Sequence, residues 1–224
     1  MVVVVIIKQV VKIGGSLFPN YAIELAEQLE KSNSVIILGG GEFANLIRRY
    51  DEEIHFTEHT NHWRAIDCMD IIAKLVNDKV ESTELAFSIE EVNKISDEGL
   101  TPIFVVSDFL KREDPFECSW DVTSDSIAAY VAHLLNANLL IVTNVNGIYT
   151  QEPKEPGSTF ISKIDAKTLL TFQESSIDVM LPSLLLRYGT NCYVVNGKYP
   201  ERVLSLIDDN INDYNFDYTQ ITGD

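Results

Sequence analysis

The chain has 224 residues, enough for one large domain, and 46% of them are hydrophobic, as in a protein that buries a full core. Its 34 acidic against 17 basic residues give a formal charge of −17, which repels nucleic acid and anionic membranes and excludes both as expected partners. Cys68, Cys118 and Cys192 are far apart and lack C-x-x-C spacing, so neither a disulfide framework nor a thiolate metal site is expected, and a cytoplasmic, reducing location fits.

The apolar run at 2–7 falls far short of the ~20 residues that cross a bilayer and lacks the features of a secretory signal, so it reads as a strand. A second apolar run, at 10–13, ends at Gly14, Gly15 and Ser16. A helical pattern follows at 21–31, then a buried strand at 35–38 that ends at Gly39, Gly40 and Gly41, and a helix at 42–50. A His-rich stretch at 55–62 precedes a helical stripe through Ile66, Met69, Ile72, Ala73 and Val76. Next come a strand at 84–87, a helix at 89–98 closed by Gly99, a strand at 103–106 and a polar loop over 107–121.

The pattern returns as a helix at 124–135 and a strand at 139–143 that stops at the turn 144–147. Residues 151–158 read as an exposed loop; then a strand at 160–164, helices at 166–172 and 179–188, a strand at 192–195, a helix at 200–207 and an edge strand at 218–222. No tandem repeat or low-complexity tract interrupts the series. Strands separated by helices imply an α/β fold with a mostly parallel sheet, covered on both faces, whose ligands sit at the carboxyl ends of the strands.

Both glycine clusters fall at such ends. A buried strand that runs through glycines into a helix leaves backbone N–H groups bare where the helix dipole favours an anion, so two turns offer two phosphate sites. Lys12, two residues before the first pair, adds a mobile ammonium. The spacing is neither a Walker loop nor G-x-G-x-x-G, and a tight turn relieved of crowding by glycine is the competing reading. Asp121 and Asp125 flank the start of the 124–135 helix; Asp125 is either a dipole partner or the carboxylate that fixes a catalytic lysine. His55, His59 and His62 have spacing that allows one helix face, but nothing completes a metal ligand set and no metal site is expected. His62, with Trp63 and Arg64 after it, suits an aromatic anionic substrate; Arg64 could equally be a solvated charge.

Together these residues resemble the amino acid kinase family, which includes acetylglutamate, aspartate, uridylate and isopentenyl phosphate kinases. The segment from Lys12 to Ser16 is similar to the family's K-x-G-G-S turn, Gly39 to Gly41 to its second glycine cluster, and Asp121 with Asp125 to its acceptor-orienting pair. Thr143-Asn-Val-Asn-Gly-Ile-Tyr149 resembles T-D-V-D-G-V-Y of the nucleotide site. The resemblance implies a three-layer αβα sandwich forming one domain over 1–224, with an acceptor-binding half to about residue 135 and an ATP-binding half beyond it. It implies ATP with Mg2+, Lys12 and Asp125 as catalytic residues, and Gly14, Gly15, Ser16, Gly39, Gly40 and Gly41 around phosphate. It further implies Thr143, Asn144, Val145, Gly147, Tyr149 and Lys154 around ATP, His62, Arg64 and Asp121 around the acceptor, and a homo-oligomer, dimeric or higher.

One position departs from the pattern. Where many members place a second catalytic lysine, this chain has Ser183, so Lys163, Arg187 or magnesium carried by ATP takes over, or chemistry is impaired. Segments 62–70, 120–125 and 194–202 look most like the small archaeal kinases of methanofuran biosynthesis, which implies a small phosphorylated acceptor. The alternatives are isopentenyl phosphate, UMP or an amino-acid carboxylate as acceptor, or a non-catalytic nucleotide- or oxyanion-binding role.

Overall fold

The run that leads into the first glycine pair lies inside the main sheet of the molecule, flanked on both sides by parallel strands. A computed structural model describes residues 6–151, 153–172, 176–208 and 215–224. Strand β1, Gln9–Ile13, pairs in parallel with β2, Ser34–Leu38, and with β5, Asn138–Thr143. Outward from β2 lie β4, Thr101–Phe104, and β3, Thr83–Ala86. Outward from β5 lie β9, Cys192–Asn196, β10, Thr219–Thr222, and β8, Lys163–Asp165. The β9–β10 pair is antiparallel, and the other pairs of this eight-stranded sheet are parallel. A separate two-stranded ribbon joins β6, Ile148–Tyr149, to β7, Phe160–Ile161.

The central strands are mainly apolar on both faces because helices cover both, as a buried parallel sheet requires. Val10 and Ile37 enter one core with Ile127, Ala128 and Val131 of α6, Ser124–Leu135, and Leu184 of α8, Leu181–Tyr188. Val11 and Ile36 enter the other with Leu25 and Ala26 of α1, Asn20–Gln28, and Val203 of α9, Pro200–Ile207. Helix α3, Glu58–Asn77, serves both, with Ile66 and Met69 in the first core and Ile72, Ala73 and Val76 in the second. The stripe read from the sequence is therefore core, and burial of each of its Ile, Met and Val side chains contributes about 1.5–3 kcal/mol.

Several expectations are corrected. Of the run at 2–7, residues 1–5 lie outside the described residues, Ile6 and Ile7 are in no strand, and β1 starts at Gln9. The expected loop over 107–121 opens with a helix, α5, Ser107–Glu113. Its start is capped from α3: Asp70 accepts the N–H groups of Val106 at 3.0 Å and Ser107 at 3.3 Å, and the Ser107 hydroxyl. A cap supplied from 37 residues away leaves no local signal. The strand expected at 160–164 is two strands, one in the ribbon and one in the main sheet. The segment at 218–222 is not an edge; β10 lies between β9 and β8. His55 ends α2, Gly41–Ile54, in a left-handed conformation with φ 57°, so it shares no helix with His59 and His62.

Candidate active site

The two glycine turns meet at the carboxyl ends of β1 and β2. Gly14 N–H donates to Val142 O at 2.7 Å and Gly39 N–H to Ile13 O at 2.9 Å, so these two N–H groups extend the sheet and are not free for a ligand. One residue later the turns press backbone against backbone: a Cβ on Gly15 would lie 2.2 Å from Gly41 N. Gly41, at φ +52°, opens the 14-residue helix α2, whose first turn bond runs from Ala44 N to Gly40 O at 3.2 Å. The N–H groups of Gly40, Gly41 and Glu42 precede the helical ladder at the positive end of the helix dipole. Crowding and exposed donors are thus both properties of the same turns.

Lys12 comes off β1 between β2 and β5 and is 7% exposed. Its Nζ lies 2.7 Å from Asp125 Oδ1 in the first turn of α6, and 3.7 Å from where a Cβ on Gly14 would stand. Asp125, 4% exposed, also accepts the Asp178 N–H at 3.1 Å through Oδ2. The ammonium is therefore held beside the first glycine turn by a buried carboxylate that is itself held by the backbone.

Above the turns opens a cavity of about 480 Å3 between α2, α3 and the segment entering α6, lined among others by Gly15, Ser16, Gly39, Gly40, Gly41 and Thr123. Its charged wall was missed in the sequence. Arg48 of α2 lines it, with its guanidinium carbon 4.7 Å from the ring centroid of Trp120, which also lines it. The indole N–H of Trp120 donates to Asp51 Oδ2 at 3.3 Å, and Phe56 N–H donates to Asp51 Oδ1 at 2.9 Å. The Asn61 side chain holds the Asp51 carboxyl below its ordinary value, with Trp120 and Phe56 adding to this. A helical signal did exist: Gly41, Ala44, Asn45 and Arg48 recur at three- and four-residue spacing along one face.

The three residues assigned to the acceptor do not line this cavity. His62 is buried, with Nδ1 3.2 Å from Ser119 O; burial lowers its pKa, so its ring stays neutral at physiological pH. Arg64 is 55% exposed and paired with Asp67 at 2.8 Å. Asp121 is exposed, and its N–H donates to Ser119 Oγ at 2.8 Å. His59 is exposed, with its ring 6.4 Å from that of Trp63.

The residues assigned to ATP run on along the chain from the end of β5. Thr143 ends that strand and accepts the Gly197 N–H at 2.8 Å, which places the turn through Asn144 and Val145 beside the one after β9. Asn146, not singled out in the sequence, joins them: its Oδ1 accepts Asn196 Nδ2 at 3.0 Å and Arg202 Nη1 at 3.4 Å. A Cβ on Gly147 would meet Thr219 Oγ1 at 2.4 Å, and Tyr149 packs on Phe160 with centroids 5.4 Å apart. Lys154 is exposed in the loop that follows. Ser183 sits half-buried in the first turn of α8; Lys163, on the edge strand β8, and Arg187, in the last turn of α8, are both exposed.

Residues 8–196 match the amino acid kinase family. The chain is 34% identical to the [5-(aminomethyl)furan-3-yl]methyl phosphate kinase of Methanocaldococcus jannaschii, over 96% of this chain and 97% of that one. It is 26% identical to the uridylate kinase of Thermofilum pendens, over 87% and 90% of the two chains. The crystal structure of the uridylate kinase of Archaeoglobus fulgidus superposes with a TM-score of 0.70 at 19% identity, covering 96% of this chain and 99% of that one. A mostly parallel sheet with two glycine turns at its carboxyl edge and a match across most of the chain lead to one assignment: the chain belongs to the amino acid kinase family and is an ATP-dependent phosphotransferase.

Proposed function

We propose that the enzyme transfers the γ-phosphoryl group of ATP to a phosphate oxygen of [5-(aminomethyl)furan-3-yl]methyl phosphate, giving the diphosphate and ADP. The observation that carries this reading is the cavity, with the Lys12–Asp125 pair beside the glycine turns next to it and Arg48 over Trp120 on its wall. A planar ring bearing a phosphate suits an indole face and a guanidinium, and the relative matched over 97% of its length acts on such an acceptor by its name.

In this reading the acceptor phosphate oxygen forms a bond to the γ-phosphorus as the bond to the ADP oxygen breaks. Lys12 and the N–H groups of Gly15, Gly40 and Gly41 stabilise charge on the transferred group, with Ser16 at the cavity wall. An acceptor oxygen already ionised near neutral pH needs no general base. Thr143, Asn144, Val145, Gly147, Tyr149 and Lys154 belong to the nucleotide side, so residues up to about 135 serve the acceptor and those beyond serve ATP. Mg2+ would enter mainly through the phosphates of the nucleotide and would neutralise their charge there.

The similarity to uridylate kinases favours a second reading, with UMP as the ring-bearing phosphomonoester. ADP formation by the purified protein with Mg2+ and ATP, measured with the furan phosphate, UMP, isopentenyl phosphate and acetylglutamate in parallel, separates the two. Turnover on the furan phosphate alone supports the first reading; preference for UMP replaces it with the second.

A second copy of the chain is the proposed partner. Helix α2 buries none of its residues, leaving Phe43, Leu46, Tyr50 and Ile54 exposed along one face, and Ile71 and Leu75 of α3 are exposed as well. Apolar side chains at that spacing on a surface helix suit burial against a like face. Ile54→Glu with Leu75→Glu should lower the mass measured by sedimentation, and an unchanged mass would remove this face from the assembly. Among the described residues no helix is long and apolar enough to cross a membrane, and the free cysteines suit the cytoplasm.

A further inference from the structure

The Lys12–Asp125 pair is supported from the far side by a carboxylate outside the glycine turns. Asp178 Oδ2 accepts the Thr123 N–H at 3.1 Å, the Thr123 hydroxyl at 2.9 Å and the Ser126 N–H at 2.9 Å. Its Oδ1 accepts the Ser126 hydroxyl at 2.6 Å and the Leu181 N–H at 2.8 Å. One side chain thus caps two helices, satisfying N–H groups at the start of α6 and at the first residue of α8. Thr123, the N-cap residue of α6, makes no cap bond of its own. At the same time the Asp178 backbone N–H donates to the free oxygen of Asp125.

We infer that Asp178 is a positioning residue for phosphoryl transfer: by tying the starts of α6 and α8 together it fixes Asp125, and through Asp125 it fixes Lys12 beside the first glycine turn. The inference rests on the kinase reading for its catalytic consequence and on geometry for the rest. Two carboxylates and one ammonium are packed together at the starts of α6 and α8. Burial and the Asp125 charge push the Asp178 carboxyl up from its ordinary value, while the Ser126 and Thr123 donors favour the charged form. Such a cluster holds one arrangement only while its donors stay in place. Without the Asp178 carboxylate, the three N–H groups lose their acceptor and the 176–180 segment loses its tie to α6. Asp125 Oδ2 then loses a fixed donor, and a misplacement of about 1 Å at a transfer site costs about 100-fold in rate.

A merely structural cap would lower stability and leave the chemistry alone, so the test needs a comparison cap. Asp165 provides one, since it accepts the N–H and hydroxyl of Thr168, each at 2.7 Å, at the start of α7, Ala166–Leu169. In the full-length protein, Asp178→Asn should lower kcat about 10- to 100-fold with KM for ATP within about 3-fold, whereas Asp165→Asn should leave kcat unchanged. A second readout needs no turnover: modification of Lys12 by an amine-reactive reagent, quantified by mass spectrometry relative to exposed Lys31. It should rise several-fold in Asp178→Asn and not in Asp165→Asn. If Asp178→Asn does not fold, Ser126→Ala removes one of the five bonds and should move both readouts the same way by less.

A folded Asp178→Asn with unchanged kcat, or with reduced kcat and unchanged Lys12 labelling, overturns the inference. If the wild-type protein turns over no phosphorylated acceptor, the kinase reading falls separately. Lys12 labelling then decides the positional role alone: a rise supports it and no change overturns it.

Discussion

Gly15 and Gly41 touch through their backbones: a Cβ on Gly15 would fall 2.2 Å from Gly41 N and 2.3 Å from its Cα. Contact with backbone cannot be relieved by a side-chain rotation, so Gly15→Ala must separate the two turns. It should destabilise the fold by about 1–3 kcal/mol or more and reduce turnover far beyond that loss, because the turns carry the proposed phosphate donors. Thermal melting and kcat of the variant check this, and an active Gly15→Ala protein would remove the two-turn cradle from the mechanism.

The buried pair Lys12 and Asp125 should separate stability from chemistry. Lys12→Met alone leaves a carboxylate without its counterion and should cost about 3–5 kcal/mol, much of which Lys12→Met with Asp125→Asn should restore. Activity should not return: loss of the ammonium lowers kcat about 100- to 1000-fold in either variant while ATP binding changes little. Chemical denaturation, kcat and ATP titration of the single and double variants give all three quantities.

Arg48, held over Trp120 by a cation–π contact at 4.7 Å, should matter for the acceptor and not for the nucleotide. Arg48→Ala should raise KM for a phosphorylated acceptor about 10-fold or more, the effect of losing a charge-assisted bond, with KM for ATP unchanged. Trp120→Leu should act the same way, less strongly on phosphate and more on the ring, and should remove an acceptor-dependent change in tryptophan fluorescence. Equal KM for acceptor in Arg48→Ala and wild type would take the guanidinium out of the site.

Asp70, which caps α5, has its carboxyl raised above the ordinary value by burial, against the bonds from Ser107 and Val106. A raised folded value means that its contribution to stability is full below the unfolded carboxylate value and lost as pH rises through the folded one. Asp70→Asn is neutral throughout. The stability gap between wild type and Asp70→Asn should therefore be largest below about pH 4, narrow as pH rises, and level off once pH passes the raised folded value. Melting temperatures of both proteins across that range measure it; a gap that widens with pH would show that the donors outweigh burial.

What the sequence determined by itself was local. The strands ending in glycines at 14–15 and 39–41, helix Ser124–Leu135 and helix Pro200–Ile207 follow from apolar periodicity and from residues that interrupt it, and all are where that pattern puts them. The match of two glycine turns, a lysine and an Asp pair to one family was legible for the same reason, since each lies within a few adjacent residues. Tertiary structure decided what depends on partners far along the chain. Helix α5 exists through a cap from Asp70, β10 is interior because β8 pairs on its far side, and Arg48 meets Trp120 from 72 positions away. Asp178 reaches Thr123 and Ser126 across more than 50 residues. Such contacts are chosen by packing and desolvation of the whole core, and no pattern within one element records them.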